Sequence, residues 1–298
     1  VAMSAVLRHV VRARPGWRID YQAEEGKHQV GRGIVQNTFA YGDTYPSPHY
    51  DAEVQILLFD TWYNWSDRPN TRVSSCLQER FGLGWNAECA QYQVNVGDEE
   101  RYRANDFLRS IGSLTRSARK RSECRGNVVA IHYEGDSSKD KKDLTHEQVS
   151  NICDHIVHYG RVPLLLDWRG TSPLANRVTT TGRMKEAQVW GGSAQMNCAI
   201  IGQCEAFVGI DSGPAKCASA TDTPVLVVWT GHHPAPFHDP AMNTTHLVPV
   251  GYHGLKPVCN DQGVIDWFES HYIVRKYMAD YISDPVLEIK RWLSEVLK

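Results

Sequence analysis

Apolar residues recur along this chain at two different periods. Met3, Val6, Leu7, Val10 and Val11 follow the three-and-four spacing of one helical face, which predicts an amphipathic helix over residues 2–13. Pro15 and Gly16 stop it. Residues 17–22 alternate as a strand does, and residues 37–50 are turn-rich and read as a surface loop. An apolar strand is expected over 54–59, and helices over 73–81 and 98–114, the latter closing the first half of the chain. The second half repeats strand and helix more regularly. Strands are predicted at 128–133, 163–168, 207–210 and 225–229, with helices at 146–158, 193–203 and 285–297. Alternation of this kind, with short apolar strands bounded by turns, indicates an α/β chain with a parallel sheet.

Composition adds limits. The chain has 298 residues, 42% of them hydrophobic and 22% charged, enough for two cores of ordinary size. A formal net charge of −2 argues against a general nucleic-acid binder. The segment 116–125, RSARKRSECR, is a local exception and reads either as a solvated linker or as a surface for anionic lipid or lipopolysaccharide. There is no run of about 18 apolar residues, the length a membrane-spanning helix needs. The eight cysteines lack CxxC or Cys/His metal spacing and read as reduced, mostly buried thiols of a cytosolic protein.

The segment 207–240 carries the most chemistry. A buried strand, Phe207 to Ile210, runs into Asp211-Ser212-Gly213-Pro214 and a small-residue helix, and a second strand ends in Gly231-His232-His233-Pro234. Ser212 suits a helix N-cap, Gly213 lets a backbone approach, and Pro214 suits the first helical turn. The N–H groups of such a helix start attract anions, and a diphosphate is the natural guest. Asp211 is placed either to cap the following helix or to reach the cleft. Lys216, one turn into the helix, is either a snorkelling surface lysine or a phosphate contact. Upstream, VVAIHYEG is followed by Ser137, Ser138 and the lysines 139, 141 and 142, a second group suited to phosphate. Asp167 ends a strand where an acid often binds ribose hydroxyls. Trp190 and Met196 fit either a base pocket or the core. The loop residues Gly231, His232 and His233 read as solvent-exposed or as donor-side contacts.

These motifs, in this order, resemble glycosyltransferase family 9, the ADP-heptose:lipopolysaccharide heptosyltransferases and their relatives. The family pattern is a strand, Asp-Ser/Thr-Gly-x-x-His, small residues, then a strand ending Gly-Pro-Thr-x-Pro. This chain has Lys216 in place of the His. The stretch 128–142 resembles the family's phosphate-binding loop and lysine, and residues 1–20 resemble its first helix and second strand. The resemblance implies a GT-B fold, two Rossmann-like domains facing each other across a cleft. They would span residues 1–122 on the acceptor side and 123–298 on the nucleotide-sugar side. It further implies an inverting, metal-independent transfer of a sugar, heptose in the name-giving members, from a nucleotide-diphosphate donor to a saccharide or glycolipid acceptor. Ser137, Ser138, Lys141, Lys142, Ser212, Gly213, Pro214 and Lys216 would hold the donor diphosphate, and Asp211 would contact donor-sugar hydroxyls. No cofactor is implied; the setting would be cytoplasmic, with peripheral contact at the inner membrane. The family's general base, an Asp in a Gly-Asp turn after the first strand, would fall just before Val1, with Asp43 and Asp51 as stand-ins. Aromatic residues within 37–50 would suit an acceptor cleft, since rings stack on sugar faces. A sugar-nucleotide epimerase on the same fold and a non-catalytic nucleotide-sugar-binding protein are the competing readings.

Overall fold

A computed structural model of the chain describes residues 2–23, 27–41, 43, 50, 54, 73–84, 86, 91–112, 127–135, 142–184, 193–230, 233–235, 237–239, 241–250, 262–278 and 285–298. The first part holds helix α1 (Ala2–Ala13), strands β1 (Asp20–Ala23) and β2 (Asn37–Ala40), and helix α2 (Val73–Glu79). β1 and β2 form a separate two-stranded parallel sheet, with Asp20 opposite Asn37 and Ala23 opposite Ala40. The start of the segment read as a surface loop is therefore a strand. Its sequence, NTFA, is too short and polar to announce itself, and it is set by pairing with β1, reinforced where Asn37 donates to the Asp20 carboxylate at 2.9 Å. The strand expected at 54–59 lies outside the described residues.

Helix α3 (Asp98–Gly112) follows, then the elements of the main sheet. These are β3 (Val128–His132), α4 (His146–His158), β4 (Val162–Leu165), β5 (Thr179–Thr180), α5 (Ala194–Ile201), β6 (Ala206–Ile210), α6 (Gly213–Ser219), β7 (Val225–Val228), β8 (Thr244–Val250), α7 (Gln262–His271), β9 (Ile273–Met278) and α8 (Val286–Val296). The seven strands are all parallel, in the order β5-β4-β3-β6-β7-β8-β9. The chain starts at β3, builds outward through β4 and β5, then returns to β3 and builds the other way from β6. Such a reversal opens a crevice at the carboxyl ends of the two central strands, where α/β sheets of this type bind ligands.

Both faces of the sheet are buried, and the strand period sorts the side chains between them. Val128, Ala130, Leu164, Phe207, Val225 and Val227 join one core with Met196, Ile200, Ala215 and Ala218 of the covering helices. Val129, Ile131, Leu165, Val208, Leu226 and Val228 join the opposite core, with Ile152 and Ile156 of α4 and Ile289, Trp292 and Leu293 of α8. The helix read as closing the first half, α3, packs Ala104, Phe107, Leu108 and Ile111 into the first of these cores. Its apolar stripe is covered by α5 and the sheet. Helix α4 starts at a capping box, Thr145 with Gln148, which holds the chain on its way out of the crevice.

β8, α7 and β9 are absent from the sequence reading. β8 reads TTHLVPV, and its buried Thr244, Thr245 and His246 break the apolar run. β9 is the sheet edge, with Arg275 and Lys276 along it, the composition expected of a guarded edge strand. On α8, Leu293 is fully buried whereas Leu287 is 58% exposed. Leu293→Ala should therefore cost about 2–5 kcal/mol of unfolding free energy in urea titration, and Leu287→Ala less than about 0.5 kcal/mol.

Candidate active site at the crossover between β3 and β6

Two loops leave the carboxyl ends of β3 and β6 side by side. The first is pinned at its stem: Leu144 N–H donates to the Tyr133 carbonyl at 3.1 Å, and Gly135 N–H donates to the Asp143 carboxylate at 2.9 Å. Ser137, Ser138 and Lys141 of that loop lie outside the described residues, but Lys142 closes it next to the stem. Lys142 Nζ reaches across to Asp211 Oδ2 at 2.9 Å. Asp211 Oδ1 also faces Lys216 Nζ, at 3.4 Å. One carboxylate thus gathers two ammonium groups from separate elements.

All three side chains are partly sheltered, with Asp211 10% exposed and each lysine 20%. The trio carries one net positive charge. An ammonium has three N–H donors and the carboxylate accepts one from each lysine, so donors remain for an anion entering the crevice. The α6 start completes the arrangement. Ser212 is the N-cap, accepting from Ala215 N–H at 3.4 Å, and Pro214 sits in the first turn. Gly213 is exposed, and no atom lies within 4 Å of where its Cβ would be, so the backbone there is open to approach. Ser212 Oγ also lies 3.0 Å from His132 Nδ1, at the end of β3. His132 is a site residue the motif reading passed over, since in the sequence it is only the last position of an apolar strand.

The other expected residues fall elsewhere. Asp167 is partly buried and accepts from Ser172 N–H at 2.8 Å, a bond that shapes the turn after β4. Met196 is 3% exposed and packs inside the core. Trp190, Gly231 and His232 lie outside the described residues. Asp43 accepts from Ala40 N–H at 2.7 Å and closes the turn after β2; Asp51 is not described. The cysteines at 153, 198, 204 and 217 are buried free thiols, and Cys76 is half-buried.

His233 corrects the first of its two readings, solvent-exposed loop residue or donor-side contact: it is 6% exposed. It belongs to a buried cluster behind α6. Its Nδ1 accepts from Ala235 N–H, its Nε2 faces Glu269 at 3.4 Å, and Glu269 also holds Lys276 at 2.8 Å. Its ring meets Phe268 edge-on, and Phe268 in turn meets His246. His246 Nδ1 accepts from the Trp229 indole at 3.0 Å, and the His246 ring lies 4.8 Å from that of His238. His238 donates from Nδ1 to the Asp239 carbonyl and faces Ser219 of α6 through Nε2. Asp239 ties this cluster to the first part of the chain, accepting from the Ser74 hydroxyl at 2.5 Å and donating its N–H to the Tyr92 hydroxyl at 2.7 Å.

Burial keeps all three imidazoles neutral. It pushes His233 down to about 4 against the pull of Glu269, and His238 down to about 3, with nearby Lys216 adding to the shift. His246 lies well below its usual value, by burial and by its histidine neighbours. Between the ordinary value near pH 6.5 and these lowered values the unfolded chain binds protons that the folded chain does not. The contribution of these histidines to stability is therefore full above about pH 6.5 and is lost as the pH drops toward their lowered values, by at most roughly 1 kcal/mol per unit for His233 and for His238. Urea unfolding at pH 5 and pH 7 should show this loss, and His238→Gln should shrink the difference. An equal difference in the variant would remove His238 from the account.

No family model matches this chain, and no curated protein does either. Solved structures do. A glycosyl transferase family 9 protein from Veillonella parvula superposes with a TM-score of 0.59 at 12% identity, covering 99% of this chain and 93% of that one. The ADP-heptose LPS heptosyltransferase II of E. coli gives 0.51 at 13% identity, covering 99% and 94%. An iron-containing dodecameric glycosyltransferase of enterotoxigenic E. coli gives 0.54 at 12% identity, covering 98% and 70%. At such identities the likeness is one of fold. It extends over nearly the whole chain, and it is the fold that the sequence motifs resembled.

Proposed function

We propose that this chain is a glycosyltransferase of the GT-B type, its two parts facing across a cleft, which moves a sugar from a nucleoside-diphosphate donor to a saccharide or glycolipid acceptor. The observation that carries the reading is the pair of ammonium groups held on Asp211 at the crossover of the sheet. Breaking the bond between the anomeric carbon and a phosphate oxygen leaves new negative charge on the diphosphate. Groups already fixed around that oxygen stabilise the transition state more than the ground state. Lys142, Lys216 and the open backbone at Gly213 are such groups, the Ser212 hydroxyl can turn to join them, and Ser137, Ser138 and Lys141 shortly precede Lys142 in the sequence. Because these cations supply the counter-charge, the transfer proceeds without a metal, and with inversion if a single in-line displacement by the acceptor hydroxyl replaces the diphosphate. Asp211 orients both lysines and lies where donor-sugar hydroxyls would meet it. The sugar-nucleotide specificity of the E. coli structure above makes an ADP-linked heptose the first donor to try. Among the described residues no helix is long and apolar enough to cross a membrane.

Three variants test these roles. Lys142→Ala and Lys216→Ala should each weaken ADP binding in calorimetry by about 1–3 kcal/mol. Asp211→Asn should weaken binding of free ADP by releasing both lysines, and should weaken that of an ADP-sugar further by the lost contact to its hydroxyls. Wild-type affinity in both lysine variants would dismiss the site.

A product assay discriminates the enzyme classes. Transfer releases free nucleoside diphosphate only when acceptor is present. Release without acceptor would favour a sugar-nucleotide epimerase acting by elimination, and binding without any release would favour a non-catalytic receptor.

A further inference from the structure

His132 has no part in the chemistry above, yet it is tied to one of its donors. It ends β3 on the same face as Val128 and Ala130, the face that α6 covers, and its Nδ1 lies 3.0 Å from Ser212 Oγ. The Ser212 hydroxyl has one proton and two acceptor positions. It accepts from Ala215 N–H at the helix cap, and it lies 3.1 Å from the Ile210 carbonyl, toward which it can only donate. With its proton on Ile210, the remaining acceptor position faces His132, and Nδ1 must carry a hydrogen. The hydroxyl is then fully occupied, its proton points back along its own strand, and it offers nothing to a phosphate.

A phosphate oxygen entering the crevice changes the balance. If Nδ1–H and Ala215 N–H both continue to donate to Oγ, the oxygen stays in place and only the proton has to turn. Two incoming N–H bonds also polarise the O–H, which makes it the stronger donor. If His132 instead accepted the Ser212 proton, the hydroxyl would be drawn away from any anion. The imidazole therefore decides which way the hydroxyl faces.

We propose that His132 is a positioning residue for the donor site: through Nδ1–H it holds Ser212 Oγ so that the serine proton is presented to a phosphate oxygen of the bound nucleoside diphosphate. This rests on the reading of the crevice as a donor-diphosphate site. It predicts that His132 acts on the ligand only through Ser212, a dependence that a double-mutant cycle isolates.

The experiment measures ADP and UDP binding by calorimetry to the wild type, His132→Leu, His132→Asn, Ser212→Ala and the His132→Leu/Ser212→Ala double variant, each first checked for cooperative melting. For the tighter probe, His132→Leu and Ser212→Ala should each weaken binding about tenfold, the size of one lost charge-assisted hydrogen bond. The double variant should bind no more weakly than Ser212→Ala alone. His132→Asn, whose amide N–H can replace Nδ1–H, should recover most of the loss, which a purely structural imidazole would not do. If His132→Leu does not fold, the cycle is run with His132→Asn and His132→Asn/Ser212→Ala, and the asparagine must then bind within about threefold of the wild type. Losses that multiply in the double variant, wild-type binding by His132→Leu, or failure of asparagine to rescue would each overturn the proposal while leaving the lysine site intact. Binding of neither probe to the wild type would overturn the donor-site reading and this proposal with it.

Discussion

The carboxylate of Asp211 is the constraint on which the site depends. Without it, two lysines on separate elements would repel each other in a half-buried crevice and turn to solvent. With it, Lys142 and Lys216 are held at 2.9 and 3.4 Å from one acid, and the trio keeps a net positive charge. The arrangement costs desolvation of three charged groups, which a partly sheltered position lessens but does not remove. Stability alone gives little reason to keep it. A site that needs fixed positive charge, already oriented before the reaction, gives a direct one.

The fold makes that meeting unavoidable. Lys142 and Asp211 lie far apart in sequence and come together only because β3 and β6 are neighbours at the point where the sheet reverses its direction of growth. The two buried cores fix the strands in register, and the capping box at Thr145 fixes where the loop after β3 ends. Behind the site, the buried histidine cluster wedges α6 against β8 and α7. Asp239 carries the same packing to Ser74 and Tyr92, so the helix bearing Lys216 is tied to the first part of the chain.

What the sequence disclosed follows from how local the signals are. The helix start at Ser212-Gly213-Pro214 and the flanking strands are written in consecutive residues, and the structure has them where they were read. The helices 73–81, 98–114, 146–158, 193–203 and 285–297 were visible from their spacing and are present with shorter or equal bounds. By contrast β2, β8 and β9 are polar or charged, and only their partners make them strands. His233 was misplaced because two adjacent histidines in a Gly/Pro loop look solvated; nothing nearby in sequence announces Phe268 and His246 as its neighbours. His132 was hidden for the opposite reason, as the end of a strand whose other residues are all core. The Thr145–Gln148 pair, a readable capping box, and the periodicity of α7 were local signals passed over.

A crystal structure of the protein with ADP tests the central claim most directly. The account predicts both phosphates at the carboxyl ends of β3 and β6, with a phosphate oxygen within hydrogen-bond reach of Lys142 Nζ and another facing Ser212 and the start of α6. ADP seated away from the crossover, with Lys142 and Lys216 still closed on Asp211, would contradict it.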